Sequence, residues 1–358
     1  MNPDSASRIR PGEELDQAHL NNYLATVVPG FGRLTAIAQF PGGYSNLTYL
    51  LTALTNASVS VEYVLRRPPF GAKDIKGGHD MGREYRVLTL LHSAGYRSAP
   101  EPVVFCEDDA VIGAPFYVMK RVPGVILRAG SPSALNLPAE TMRRLSEALV
   151  DQLVALHALD IHGSGLVQLG KPEGYIRRQV EGWHRRYQAA QTDELPVMDK
   201  LARWLDAQLP PEQAPTLLHN DYKYDNVVLN RTDLTQIEAL LDWEMCTVGD
   251  PRMDVGTALS YWSETGDGPF EKSFNLSWLP GNLTRREVVE RYGAGSGRDL
   301  SRILYFYVFG LFKNAVVMQQ IYGRYRRGLT RDPRFAGLLT GVRTLAAKAA
   351  TAIETDRL

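Results

Sequence analysis

Apolar and polar positions along this chain follow two different periods, and the change between them falls near residue 122. Residues 13 to 28, EELDQAHLNNYLATVV, place Leu15, Leu20, Tyr23 and Leu24 at roughly helical intervals, and Pro29-Gly30 stops the pattern. The runs LTAIAQF and LTYLLTAL then flank PGGYSN, which predicts a hairpin with its tip at Gly42-Gly43. VEYVLRR reads as a third strand ending at Pro68-Pro69. MGREYRVLTLLHSAG reads as a helix, and PVVFCED and PFYVMKRV as two more strands. The segment VPG at 122 to 124 is a natural boundary.

Beyond it the period lengthens. Met142, Leu145, Leu149, Leu153 and Leu156 mark a helix within 138 to 160, and 171 to 208 reads as helical around Trp183, Tyr187 and Trp204. Strand signals return only as NVVLN and IEALLDWE, and from about residue 255 onward every segment reads as helix. The order is a β-rich lobe over 1–122 and a larger helical lobe over 123–358 with one embedded hairpin. That is an α+β arrangement, not an alternating βαβ sheet. A chain of 358 residues also exceeds what one compact core usually serves.

Charge and composition narrow the partners. Forty basic residues balance forty acidic ones, which gives no reason to expect a nucleic-acid or membrane-surface partner. Cys106 and Cys246 are too few for a disulfide framework and fit a reducing compartment. The first residues, MNPDSASRIRPGEELD, have no apolar signal core, and the longest apolar run, ILYFYVFGLF, is too short to span a bilayer. The expectation is a cytoplasmic protein, its oligomeric state open.

Candidate chemistry concentrates in HNDYKYDN, residues 219 to 226, between the apolar run TLL, which reads as the end of a helix-side segment, and VVL, the first strand of the hairpin. Transfer of a phosphoryl group needs a carboxylate beside the attacking hydroxyl and oxygen ligands for a metal ion. Asp221 followed five residues later by Asn226 can supply one of each, and Asp242 in LLDWE adds a carboxylate at the end of the next strand. Magnesium favours such hard oxygen donors and keeps waters and phosphates in its shell. Taken alone, HNDYKYDN is equally a polar turn with Asx hydrogen bonds. Asp242 downstream favours the chemical reading.

HNDYKYDN, LLDWE, GDP and Asp254 together resemble the aminoglycoside phosphotransferase and choline kinase-like family, whose fold is that of the protein kinases. The resemblance implies a bilobal phosphotransferase that uses ATP and magnesium to phosphorylate a hydroxyl. It implies Asp221 as catalytic base, Asn226 and Asp242 as magnesium ligands, and Lys223 at a position that reaches the transferred phosphate. In the β-rich lobe it assigns Gly42, Gly43, Ser45 and Asn46 to the phosphate-covering hairpin, and Met119, Lys120 and Val122 to a hinge facing adenine. Strand alternation puts Val64 and Arg66 on one face, so Arg66 stands where kinases carry a phosphate-binding Lys, with Glu84 as its helix partner. Asp254 is expected to brace the catalytic loop, Asp250 to serve a turn and His157 to pack beneath the loop. Glu244 is left between supporting the metal through water and capping local structure.

VLRRPP, GREYRVL and LLDWEMCTVGDP resemble, more narrowly, the phosphotransferase-like domain found alone in bacteria or fused to acyl-CoA dehydrogenases. That branch implies a hydroxyacyl-CoA-type acceptor, and the founding family an aminoglycoside. Acceptor-pocket candidates are Trp262, Tyr305, Tyr307, Lys313, Gln319, Tyr322 and the cluster Arg324, Arg326 and Arg327. Residues 301 to 330 contain no Asp or Glu, which favours an apolar or anionic acceptor over a polycation. The alternative is a catalytically degenerate kinase-like module that only binds nucleotide, for which Arg66 is the argument. A flavin dehydrogenase would rest on association alone.

Overall fold

The computed structural model describes residues 5–41, 46–70, 80–129, 136–330 and 332–358. These form two compact units, described separately below.

The first unit comprises the chain up to Ile126 together with Ser164–Leu166 and Asn226–Glu244. It begins with α1 (Gln17–Val27), whose N-cap Asp16 accepts from the backbone N–H groups of Ala18 and His19. A five-stranded sheet follows in the order β1 (Phe31–Gln39), β2 (Leu47–Thr55), β3 (Ser60–Arg67), β5 (Phe116–Lys120), β4 (Pro102–Cys106). Neighbouring strands are antiparallel throughout. Alternation decides which face is buried: Leu47, Tyr49, Leu51 and Ala53 of β2 turn inward and pack with Leu20 and Leu24 of α1. The helix α2 (Met81–Ser93), capped by Asp80, buries Met81, Val87, Leu88 and Leu91, and on the same stripe a glutamate, Glu84. The hairpin β7 (Val227–Leu229) and β8 (Ile237–Leu240) joins this unit through backbone bonds between Val125 and Leu229. Gly124 permits that approach, since a Cβ there would stand 2.5 Å from the Leu229 carbonyl oxygen.

The second unit is mainly helical. It contains α4 (Ala139–His157), α5 (Tyr175–Ala190), α6 (Pro196–Ala207), α7 (Pro251–Tyr261), α9 (Arg285–Ser296), α10 (Ile303–Arg326) and α11 (Leu338–Thr355). Three sequence expectations are corrected here. The stretch 171–208 is two helices, because α6 restarts with Pro196 in its first turn. TLL is strand β6 (Thr216–Leu218), paired with β9 (Thr247–Gly249), not the end of a helical segment. Between α7 and α9 only the short α8 (Pro269–Lys272) is helical, so the chain beyond 255 is not helix throughout.

The helix α10 is buried nearly all round, which explains its unbroken apolar sequence. It packs between α5, α6, α7 and α11 as the axis of the unit. No helix among the described residues is long and apolar enough to cross a membrane. The α7–α10 crossing depends on two glycines. A Cβ on Gly256 would lie 2.2 Å from the Phe306 carbonyl oxygen, and one on Gly310 would lie 2.4 Å from that of Gly256. Gly256→Ala should force these helices apart and cost about 1–3 kcal/mol, the scale of an overpacked core. Calorimetry should show a fall in melting temperature of several degrees, and an unshifted transition would count against this contact.

Candidate active site

In the first unit a cluster of buried charge gathers at the end of β3. Arg66 lies opposite Tyr117 in the β3–β5 register. Its Nη1 is 3.2 Å from Glu84 Oε2, and Nη1 and Nη2 are each 3.2 Å from Asp242 Oδ1. Glu84 also accepts from the Tyr117 hydroxyl at 2.9 Å and from Asn46 Nδ2 at 3.0 Å. Burial is the strongest influence on Arg66 and opposes its charge. Glu84, with Tyr117, Asp242 and Glu244, outweighs burial and holds the guanidinium well above its ordinary pKa. Burial pushes the Glu84 carboxyl up and Arg66 draws it only part of the way back. Arg66 and Glu84 are thus the pair that chain order implied. Tyr117 was not anticipated, because its role follows from a β3–β5 pairing that a hydrophobic pattern does not specify.

Glu244 takes up the same network. Its side chain receives Asn46 Nδ2 at 3.4 Å, and its backbone carbonyl accepts from Arg83 at 3.0 Å. Asn226 precedes β7 and Asp242 follows β8, and the Leu241 N–H donates to the Asn226 carbonyl at 2.7 Å. Both side chains therefore stand at one end of the hairpin. Asp242 has φ 66°, a left-handed conformation that costs a non-glycine residue about 1–2 kcal/mol. Such strain tends to persist where it sets a functional direction. Among the described residues no group of three or more His, Cys, Asp or Glu forms a protein-built metal cage. One amide oxygen and one carboxylate suit magnesium, which takes few protein ligands.

In the second unit the loop after β6 carries Asp221. Lys223 Nζ meets both its carboxylate oxygens, at 3.0 and 2.8 Å. Burial, the largest influence, raises the Asp221 pKa, but Lys223, His219 and the Tyr261 hydroxyl together outweigh it and keep the carboxyl below its ordinary value. An ionised Asp221 can accept a proton or a hydrogen bond. Beneath it, Asp254 of α7 is fully buried and accepts from the backbone N–H of His219 at 2.6 Å and of Asn220 at 2.8 Å. His157 Nε2 lies 3.2 Å from Asp254, and its Nδ1 lies 2.7 Å from the Tyr292 hydroxyl. A carboxylate only accepts, so Nε2 carries a proton and donates to Asp254. Asp254 and His157 thus brace the loop as expected. Asp250 is the N-cap of α7 and pairs with buried Arg252 at 2.7 Å.

Other expected residues fall differently. Gly42, Gly43 and Ser45 lie outside the described residues. Met119 is buried on β5 opposite Val64. Lys120 is exposed, pairs with Glu101 at 2.8 Å and donates its backbone N–H to the Glu101 carbonyl. Val122 is half-buried beyond the strand. The acceptor-pocket candidates are mostly core. Trp262 Nε1 donates to the Leu283 carbonyl, the Tyr305 hydroxyl to that of Leu205 and Gln319 to that of Ala190, while Tyr307 and Tyr322 are also buried. Arg324, Arg326 and Arg327 are exposed.

An antiparallel sheet that sets a strand cation against a helix carboxylate, and a helical unit with a braced Asp loop, define a kinase-like phosphotransferase fold. Solved structures agree. A "putative aminoglycoside phosphotransferase" from Ralstonia eutropha superposes with TM-score 0.79 at 27% identity, covering 96% of this chain and 99% of that one. The GDP complex of aminoglycoside 2'-phosphotransferase-IIIa gives TM-score 0.61 at 16% identity, over 94% and 99% of the two chains. The chain belongs to the phosphotransferase enzyme family, whose model matches residues 36–290. Acyl-CoA dehydrogenase family member 11 of Gallus gallus is 34% identical over 335 residues, 90% of this chain. The probable acyl-CoA dehydrogenase IBR3 of Arabidopsis thaliana is 29% identical over 344 residues, 91% of this chain. The chain spans only 41% of the length of each of these relatives.

Two outcomes test this description. Tyr117→Phe should cost about 1–2 kcal/mol in urea unfolding, the scale of a buried hydrogen bond to a charged acceptor. An unchanged midpoint would remove Tyr117 from the cluster. Asp254→Asn should cost about 2–4 kcal/mol at pH 7, since two buried N–H groups lose an ionised acceptor. The folded-state pKa of Asp254 is depressed, so its contribution is complete above the unfolded value, about 3.9, and is lost as pH falls through the folded value. Wild-type and variant stability should converge in acid, and a gap that stays constant down to pH 2 would refute the ionised assignment.

Proposed function

We propose that the protein transfers the γ-phosphate of ATP to the hydroxyl of an apolar or anionic small molecule with the aid of magnesium. Asp221 orients the acceptor hydroxyl and takes its proton as the bond to phosphorus forms. Lys223 keeps Asp221 ionised before transfer and meets charge on the moving group. Arg66, held by Glu84, steadies the non-transferred phosphates. Among the described residues its buried Nε has no hydrogen-bond partner, which makes it a donor suited to an anionic ligand oxygen. Asn226 and Asp242 would hold magnesium, which would neutralise charge on the phosphates. Met119 and Val122 border the adenine, and Gly42, Gly43, Ser45 and Asn46 cover the phosphates. The remaining catalytic work is positioning.

The observation that carries this reading is an ionised Asp221, paired with Lys223, on a loop whose backbone is bound to a buried carboxylate. The acceptor class follows from charge. In the second unit Glu264 and Asp267 are engaged by Arg285, and Asp267 also by Lys348 at 2.6 Å. Those carboxylates are committed internally, which disfavours a polycationic aminoglycoside. The dehydrogenase relatives point to an acyl-type hydroxyl.

A screen of ATP consumption across hydroxyacyl-CoAs, aminoglycosides, choline-like amines and sugars tests the assignment, with turnover expected on the first class. Asp221→Asn should lower kcat by roughly 10² or more, the scale of general-base loss. Full turnover in that variant would refute the base. Magnesium should enhance the thermal stabilisation given by ATP, and Asp242→Ala should abolish that enhancement. ATP stabilisation indifferent to magnesium in the wild type, without turnover, would favour a degenerate binding module instead.

A further inference from the structure

Lys313 lies in the middle of α10 with 2% of its surface exposed. A buried ammonium is unfavourable unless it is paired or hydrogen-bonded. Among the described residues Lys313 forms no ion pair; its Nζ instead donates to the backbone carbonyl of Asn220 at 2.6 Å, with the Trp183 ring centroid 5.9 Å away. A neutral donor would satisfy a carbonyl with less desolvation. The fold keeps a cation where a cation costs stability, which is the pattern of a functional position.

The carbonyl it binds is not an ordinary one. Asn220 has φ 64°, in the left-handed region. Its N–H goes to Asp254 at 2.8 Å and its side-chain amide to the Met245 carbonyl at 3.1 Å. The Asn220 carbonyl and the Asp221 N–H belong to one planar peptide unit. Lys313 binds the oxygen of that unit, and His219 Nδ1 accepts from its N–H at 3.2 Å. The plane is gripped at both ends, and its orientation sets the direction in which the Asp221 side chain leaves the backbone. We propose that Lys313 is a positioning residue for phosphoryl transfer, whose ammonium fixes the Asn220–Asp221 peptide plane and so aims the Asp221 carboxylate. The inference rests on Asp221 being the base.

The charged groups that face Lys313 are Asp221 and Lys223 on the loop, Asp254 on α7 and Arg186 on α5. Burial dominates and brings the lysine down to about 8, against the pull of the two aspartates. As pH rises through that value the ammonium becomes an amine and its charge-assisted bond weakens. The unfolded chain keeps this proton up to about pH 10.4. Between those limits the unfolded state holds more protons, so the Lys313 contribution to stability rises with pH. Turnover should fall over the range in which that contribution grows.

The test compares wild type, Lys313→Met, Lys313→Arg and, as a control, Asp221→Asn, using ATP and whichever acceptor class supports turnover. Lys313→Met should lose roughly 10- to 100-fold in kcat, the scale of a small misplacement of a catalytic group. Its KM for ATP should stay within about twofold and its melting temperature at pH 7 should be no lower than wild type, because a desolvated charge is gone. Wild-type kcat should fall on the alkaline side with a midpoint near pH 8, and Lys313→Arg, charged throughout, should keep activity and flatten that limb. A Lys313→Met kcat within about twofold of wild type overturns the proposal, as does an activity loss that only tracks a lowered melting temperature. Should Lys313→Met fail to fold, a wild-type kcat flat from pH 7 to 9.5 overturns it. Asp221→Asn separates the two readings: if it turns over like wild type the base assignment has failed, and if it is inactive while Lys313→Met is active only the Lys313 inference falls.

Discussion

The Asp loop of the second unit depends on one carboxylate that never meets water. Asp254 is ionised inside the protein because backbone N–H groups and an imidazole N–H solvate it in place of water. An unpaired charge there would be prohibitive, so the interaction constrains both parties. The carboxylate cannot move without losing its donors, and the residues before Asp221 cannot relax from the left-handed turn at Asn220 without stranding a buried anion. Loops are usually the mobile parts of a fold, and this one is held by a desolvated carboxylate.

The same logic governs the first unit with the signs reversed. Arg66 is the largely buried cation, paired with Glu84 and Asp242, and the Tyr117 hydroxyl in turn holds Glu84. Such a network is weak evidence of stability, since desolvation consumes most of what the charges gain from one another. Its consequence is geometric: β3, α2, β5 and the end of the β7–β8 hairpin are tied to a single guanidinium. A Lys would supply a charge but not a planar fork that touches two carboxylates at once. Arg66 therefore fills the cation position with a planar fork in place of a point charge.

Much of this was legible along the chain. The strands of the first unit, α2, α4 and the β7–β8 hairpin lie where the periods of apolar residues put them, because each buries one face and alternation records which. Arg66 and Glu84 could be matched by their order, and Asp221, Asn226 and Asp242 by spacing and resemblance. Misreadings arose where burial was complete. TLL, buried on every side as β6, carries no alternation to separate strand from helix. The buried residues of α10 have the same defect, so Tyr305 and Gln319 looked like candidates for a pocket although they serve the core, as does Trp262 at the end of α7.

What the sequence determined by itself, then, is the set of elements and the inventory of chemical groups, since both follow from local period and residue type. Tertiary structure alone decided which groups meet. The hairpin after residue 226 belongs with a sheet closed a hundred residues earlier. Tyr117 supports Glu84 through strand register, and Lys313, which in sequence is a candidate for an acceptor pocket, reaches across 93 residues to the peptide before Asp221. Those pairings are long-range, and a residue's neighbours across the core are chosen by packing and by the need to satisfy buried polar groups, neither of which leaves a period in the chain.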